Sequence, residues 1–177
     1  EVFWNSGEGI IMNATSMKKD FIDGSTNFTA SVMSEFVSQI FISDTNSRFP
    51  MQLEETTSRI KELFPNSRYT LYNLDDLRIL IDTCFDPEVL KVFDGLIPYS
   101  YKSDLGRFCI LYAFGGWYFD IGLKINQRVS VDTDIDSIFF RDIQRFSGTS
   151  WSVAGGLIYS KPENPICLTA IKNVIHN

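Results

Sequence analysis

Asp104 and Arg107 stand three residues apart in the stretch YKSDLGRFCILYAFGGWYFDIGLKI, which runs from Tyr101 to Ile125. On a helix that spacing places a carboxylate and a guanidinium on one face. There they bind each other or together grip a hydroxylated ligand, the carboxylate accepting hydrogen bonds and the guanidinium donating them as a fork. Leu105, Phe108, Cys109 and Tyr112 fall at i, i+3, i+4 and i+7, so the segment predicts a helix packed on a core. Gly115-Gly116 ends it, because glycine takes the left-handed closing conformation without penalty. Trp117-Tyr118-Phe119 predicts a short strand, and Asp120 stands where that strand runs out. Taken singly, these features are a surface ion pair, a turn and a loop Asp. Together they are hard to explain as packing, and they point to a cleft.

The elements that must position these residues are legible upstream. Phe36 to Ser43, FVSQIFIS, predicts a buried strand followed by a polar loop. Pro50 opens a helix over Met51–Phe64, with Leu53, Thr57, Ile60, Lys61 and Phe64 near helical spacing and Pro65-Asn66 as its stop. Arg68 to Asn73 predicts a second strand. Leu74-Asp75-Asp76 can cap a short helix over Leu77–Thr83, and Asp86-Pro87 starts another that runs to about Asp94. Strand and helix alternate, which argues for an α/β fold with a largely parallel sheet. Ligands of such sheets bind at the carboxyl ends of the strands, so the loops after Ser43, Asn73 and Phe119 should gather at one edge. Residues 1–34 read as a loosely patterned lead-in with one short helix around Met17–Ile22. The remainder, 35–177, reads as one domain.

Composition narrows the chemistry. The 177 residues are 44% apolar and 21% charged, an ordinary globular balance, and aromatics reach 14%. The net charge is −6, with no basic run, which argues against duplex nucleic acid as a partner. The lone histidine, His176, leaves no Ser-His-Asp or Cys-His machinery and no His-ligated zinc. Cys84, Cys109 and Cys167 are widely spaced and read as buried free thiols, which suits a reducing compartment. No apolar run reaches the ~18 residues of a membrane span and no leader is visible, so the expected location is the cytoplasm. The sequons at Asn13 and Asn27 carry meaning only in a secreted protein. No G-x-G-x-x-G is present, so a dinucleotide site has no support. The tail, Ile171 to Asn177, reads as the middle of a helix, and a chain cut short at its C-terminus is expected.

The same residues resemble the GT-A glycosyltransferases whose sugar-binding region carries a DXD motif. These are glycosyltransferase family 32, with its initiating mannosyltransferase and capsular polysaccharide enzymes, and more distantly the clostridial glucosylating toxins. Ser103-Asp104-Leu-Gly-Arg107 and Gly115-Gly-Trp-Tyr118-Phe-Asp120 follow that family's S-D-x-x-R and G-G-x-Y-x-D-x-D in order and spacing. Gln39-Ile-Phe-Ile, Phe64-Pro65 through Tyr72-Asn73, and Trp151 to Pro165 resemble further segments, so the likeness covers roughly residues 36–177. It implies a Rossmann-like nucleotide-diphospho-sugar transferase fold, a UDP- or GDP-sugar donor, a saccharide or other hydroxyl acceptor, and transfer with retention. It also implies a divalent metal, Mn²⁺ or Mg²⁺, and peripheral membrane association through polysaccharide biosynthesis. Asp104 and Arg107 match the pair that holds the donor sugar's hydroxyls. Asp120 matches the first DXD carboxylate, which contacts ribose and the metal shell, and Tyr118 falls inside the donor-binding run. By analogy, the base lies over the loops at Ser43 and Asn73.

Position 122, where the second DXD Asp belongs, holds Gly122. Three readings follow. Asp120 and residues beyond position 177 carry the metal; a cation such as Lys124 or Arg128 replaces it; or the protein binds a nucleotide sugar without turning it over. Asp132, Asp134 and Asp136 read as a turn with solvated carboxylates. A haloacid-dehalogenase-type phosphatase, suggested by WYFDIGLKI, lacks its second Asp and leaves Asp104 and Arg107 unexplained.

Overall fold

In the computed structural model, which describes residues 35–43, 49–141 and 153–176, the five-residue strand β1, Phe36–Ile40, is an interior strand of a sheet. Four of its five side chains are buried, as expected of a strand covered on both faces. Helix α1, Met51–Leu63, leads into β2, Arg68–Tyr72. Then come α2, Leu74–Cys84, α3, Pro87–Gly95, and α4, Tyr99–Phe114. Strand β3, Gly116–Phe119, follows α4 directly. Strands β4, Ser137–Arg141, and β5, Val153–Ser160, and helix α5, Pro165–His176, complete the described residues, all of which lie in the unit Ser34–Asn177.

The sheet order is β2-β1-β3-β5-β4. Strand β1 pairs in parallel with β2 and with β3, whereas β5 is antiparallel to both β3 and β4. The α/β class therefore stands, but the sheet is mixed rather than largely parallel. The reason is the connections. Parallel neighbours need a crossover, and the helices between β1, β2 and β3 supply it. Past β3 the described chain holds no helix until α5, and antiparallel pairing is the arrangement that needs none. Strand β4 was not foreseen. Its Ile138-Phe139-Phe140 run is the local signal, placed just after the acidic turn.

Helices α2 to α5 cover one face, where Leu77, Ile81, Phe93, Leu105, Ile110 and Ile171 pack with Ile40 and Tyr118. Helix α1 covers the other, where Ile60 and Phe64 meet Val37, Trp117 and Phe119. This alternation is the period-2 geometry of a strand. Of the thiols, Cys109 and Cys167 are buried and Cys84 is half-buried; all three are free.

Three local details build the frame of the site. Asn73, not the following acidic residues, caps α2: its side chain accepts from Asp76 N at 2.9 Å while Asp76 accepts from Asn73 N at 3.0 Å. The buried Lys102 ammonium donates to Phe93 O at 2.5 Å and Asp94 O at 3.0 Å, closing the end of α3 against α4. Gly115 and Gly116 have φ of 66° and 85°, and a Cβ on Gly116 would stand 2.2 Å from Phe36 O. That clash explains why no side-chain-bearing residue fits where α4 turns into β3 beside β1.

Candidate active site

Because β1, β2 and β3 run the same way, their carboxyl ends share one edge of the sheet. Asp120 follows the last residue of β3 at that edge. Its N–H donates to Gly156 O on β5 at 2.8 Å, and its carbonyl accepts from Leu123 N at 3.0 Å, closing a turn over Asp120–Leu123. Helix α4 runs into β3, so its first half returns to the same region and carries Asp104 and Arg107 with it.

Arg107 joins the group together. Its side chain is 8% exposed, against 57% for Asp104 and 47% for Asp120. Nη2 donates to Asp104 Oδ1 and lies 3.6 Å from Asp120 Oδ1. Nη1 donates to Gly155 O, and Nε donates to Ser103 O at 3.4 Å. The guanidinium lies 5.0 Å from the centre of the Tyr118 ring, and the Tyr118 hydroxyl donates to Asp120 Oδ1 at 2.8 Å. Burial pushes the Tyr118 phenol far above its usual range; Arg107 opposes this and Asp120 adds to it, so the hydroxyl remains a donor.

This geometry changes the part expected of Arg107. The fork is turned inward, onto two carboxylates and a backbone carbonyl, and the groups left to meet a ligand are the half-exposed oxygens of Asp104 and Asp120. Two anions around one cation give the cleft a local charge of −1, suited to accepting hydroxyl hydrogens. Tyr118, expected to bind a donor, lies under the guanidinium with its hydroxyl on Asp120. Ser43 is exposed beyond the end of β1. Asn73 lies exposed beyond the end of β2, with its side-chain oxygen accepting from Asp76 N in the cap of α2.

The floor of this group was not foreseen from the sequence. A Cβ on Gly155 would stand 2.7 Å from Arg107 Nη1, and one on Gly156 would stand 2.9 Å from Asp120 Oδ2. The signal was present as a second diglycine, but nothing local tied it to the first. Gly156→Ala is expected to leave stability within about 1 kcal/mol, since the clashing atom is the end of a side chain. The displaced carboxylate is expected to cost about tenfold in kcat/KM, read by donor hydrolysis beside a melting curve.

As a centre for Mn²⁺ or Mg²⁺ the described residues do not fit. No group of three or more His, Cys, Asp or Glu among them converges on a common point. Asp120 Oδ1 is already held by Tyr118 and faces a guanidinium, which repels a second cation. At Gly122 no carboxylate stands, and nothing lies within 4 Å of where its Cβ would be. Of the two stand-in cations, Arg128 is engaged, with Glu35 Oε2 at 3.1 Å and the Phe64 ring at 5.3 Å. Lys124 is exposed and has no ion pair among the described residues. Asp132 and Asp134 are exposed, as expected of solvated acids. Asp136 instead accepts from Lys161 Nζ at 2.7 Å.

Comparison with known proteins places this fold among the glycosyltransferases. The chain superposes on the solved structure of the PaToxG glycosyltransferase with a TM-score of 0.55 at 12% identity, over 82% of this chain and 61% of that one. Residues 27–145 match the family described as glycosyltransferase sugar-binding region containing DXD motif, and the chain belongs to that family. It is 23% identical over 138 residues to an uncharacterized glycosyltransferase, L373, of Acanthamoeba polyphaga mimivirus. The chain spans about half the length of that relative, 54%, so the match concerns only part of it. Among the described residues no helix is long and apolar enough to cross a membrane.

Proposed function

We propose that the chain is the donor-binding part of a retaining GT-A glycosyltransferase that moves a hexosyl group from a UDP- or GDP-sugar to a saccharide or other hydroxyl acceptor. One observation carries this reading: two half-exposed carboxylates, from different elements, are held on one buried guanidinium at the carboxyl edge of the sheet. Asp104 and Asp120 accept hydrogen bonds from the hydroxyls of the donor. Arg107 and Tyr118 fix those carboxylates before the ligand arrives, so little reorganisation remains for the bound state. When the bond from the anomeric carbon to the diphosphate oxygen breaks, positive charge grows on the sugar ring, and the net negative pair stabilises it. The diphosphate is assigned to the far side of the Asp120–Leu123 turn, next to Lys124, which has no ion pair among the described residues. The base is assigned to the loops following β1 and β2, and the domain to residues 35–177.

The test is a thermal-shift screen of UDP, GDP and their sugars, with and without Mn²⁺, followed by donor hydrolysis. A ligand that binds only the folded chain raises its melting point. A panel that neither shifts the melting point nor is hydrolysed sinks the reading.

Gly122 favours a second reading, a nucleotide-sugar binder without turnover, and one substitution separates the two. The open space at Gly122, whose φ is not in the left-handed region, admits an aspartate. Gly122→Asp is expected to gain a Mn²⁺-dependent rise in melting point of about 3 °C that the wild type lacks. An equal response to Mn²⁺ in both proteins contradicts this. Donor hydrolysis that appears only in Gly122→Asp favours the binder for the wild-type chain.

A further inference from the structure

We propose that Gln39 is a positioning residue for the donor site, acting on Asp120 through its backbone. This rests on the reading of Asp120 as a donor contact.

Gln39 lies on β1 and is 0% exposed. It shares a face with Val37, towards the cluster of Ile60, Phe64, Trp117 and Phe119. An apolar side chain is the ordinary occupant of such a position, because a buried amide costs free energy unless both its ends are bonded. Both ends are. Gln39 Nε2 donates to Asp120 O at 3.3 Å, and Gln39 Oε1 accepts from the Tyr69 hydroxyl at 2.8 Å. Burial pushes the Tyr69 phenol up, keeping its hydroxyl a donor. The amide thus spans the sheet from β2, across β1, to the residue at the tip of β3.

Among the described residues one other donor reaches the Asp120 carbonyl, Leu123 N. Gln39 therefore supplies the second of two bonds to the Asp120 carbonyl, while the Asp120 N–H is held by Gly156 O. The Asp120 carboxylate is aimed from this backbone anchor, with Tyr118 and Arg107 fixing its far end. An anchor buried on the opposite face from the Arg107 cluster explains why glutamine occupies the core of a central strand.

The experiment compares the wild type, Gln39→Met and Tyr69→Phe. Methionine keeps the volume and loses both hydrogen bonds; phenylalanine loses only the outer one. In Gln39→Met, amide exchange at Leu123 is expected to speed up about tenfold, while the amides of α4 keep their protection. Donor KM is expected to rise about tenfold, with kcat for hydrolysis within about twofold. Tyr69→Phe should show the same pattern at roughly a third of the size. A merely structural role moves the melting point and the active fraction and leaves KM alone. Unchanged Leu123 exchange in both variants overturns the proposal, and so does faster exchange with an unchanged KM. Should Gln39→Met fail to fold, Tyr69→Phe decides by the same two measurements. A wild type inert to every donor removes the donor reading and this inference with it. An active wild type matched by both variants removes this inference alone.

Discussion

Arg107→Met lowers kcat/KM for donor hydrolysis by about two to three orders of magnitude. The guanidinium touches Asp104, Asp120, Gly155 O and the Tyr118 ring together. Its loss leaves two carboxylates repelling each other across the cleft and a carbonyl of β5 without its donor. Stability falls by about 1–2 kcal/mol, a modest figure because both carboxylates are about half exposed and water compensates them. Arg107→Lys does not rescue activity, since a single ammonium cannot meet a carbonyl on one side and two carboxylates on the other. Steady-state hydrolysis of the best donor, beside a denaturant curve for each variant, checks this. Activity within about threefold of wild type in Arg107→Met would remove the cluster from the mechanism.

Asp120→Asn is expected to cost about a thousandfold in hydrolysis with almost no loss of fold. The substitution keeps the shape, and the Tyr118 hydroxyl still finds an acceptor at Oδ1. It removes the charge, however, leaving Arg107 balanced by Asp104 alone and the cleft neutral. A neutral cleft no longer favours positive charge growing at the anomeric carbon. The melting point should stay within about 2 °C, as for a half-exposed surface change. A loss of activity that tracks a loss of folded protein would make Asp120 a structural residue instead.

Local pattern carried far in this chain. The helix bearing Asp104 and Arg107, the diglycine that ends it and the strand that delivers Asp120 were all legible from spacing and glycine chemistry. So were β1, α1, β2 and the Pro87 start of α3, each within a few residues of its end. Asn73 shows the limit of such reading. It was expected at the donor and the acidic residues after it at the cap; its side-chain oxygen caps α2, because the first-turn N–H groups it faces are its nearest unsatisfied partners. The expected lead-in over residues 1–34, with its helix near Met17–Ile22, lies outside the described residues, as does Trp151.

What the order of residues determined by itself is the set of local elements and the three charged side chains they carry. Such features depend on contacts within a few positions, and periodicity encodes those directly. Strand direction past β3, the inward turn of the Arg107 fork and the diglycine floor of β5 were decided only in three dimensions. Each depends on groups dozens of residues apart, such as Gly155 against Arg107 and Gln39 against Asp120. No local pattern records which distant backbone will arrive beside a side chain; that follows from how the sheet closes around its two cores.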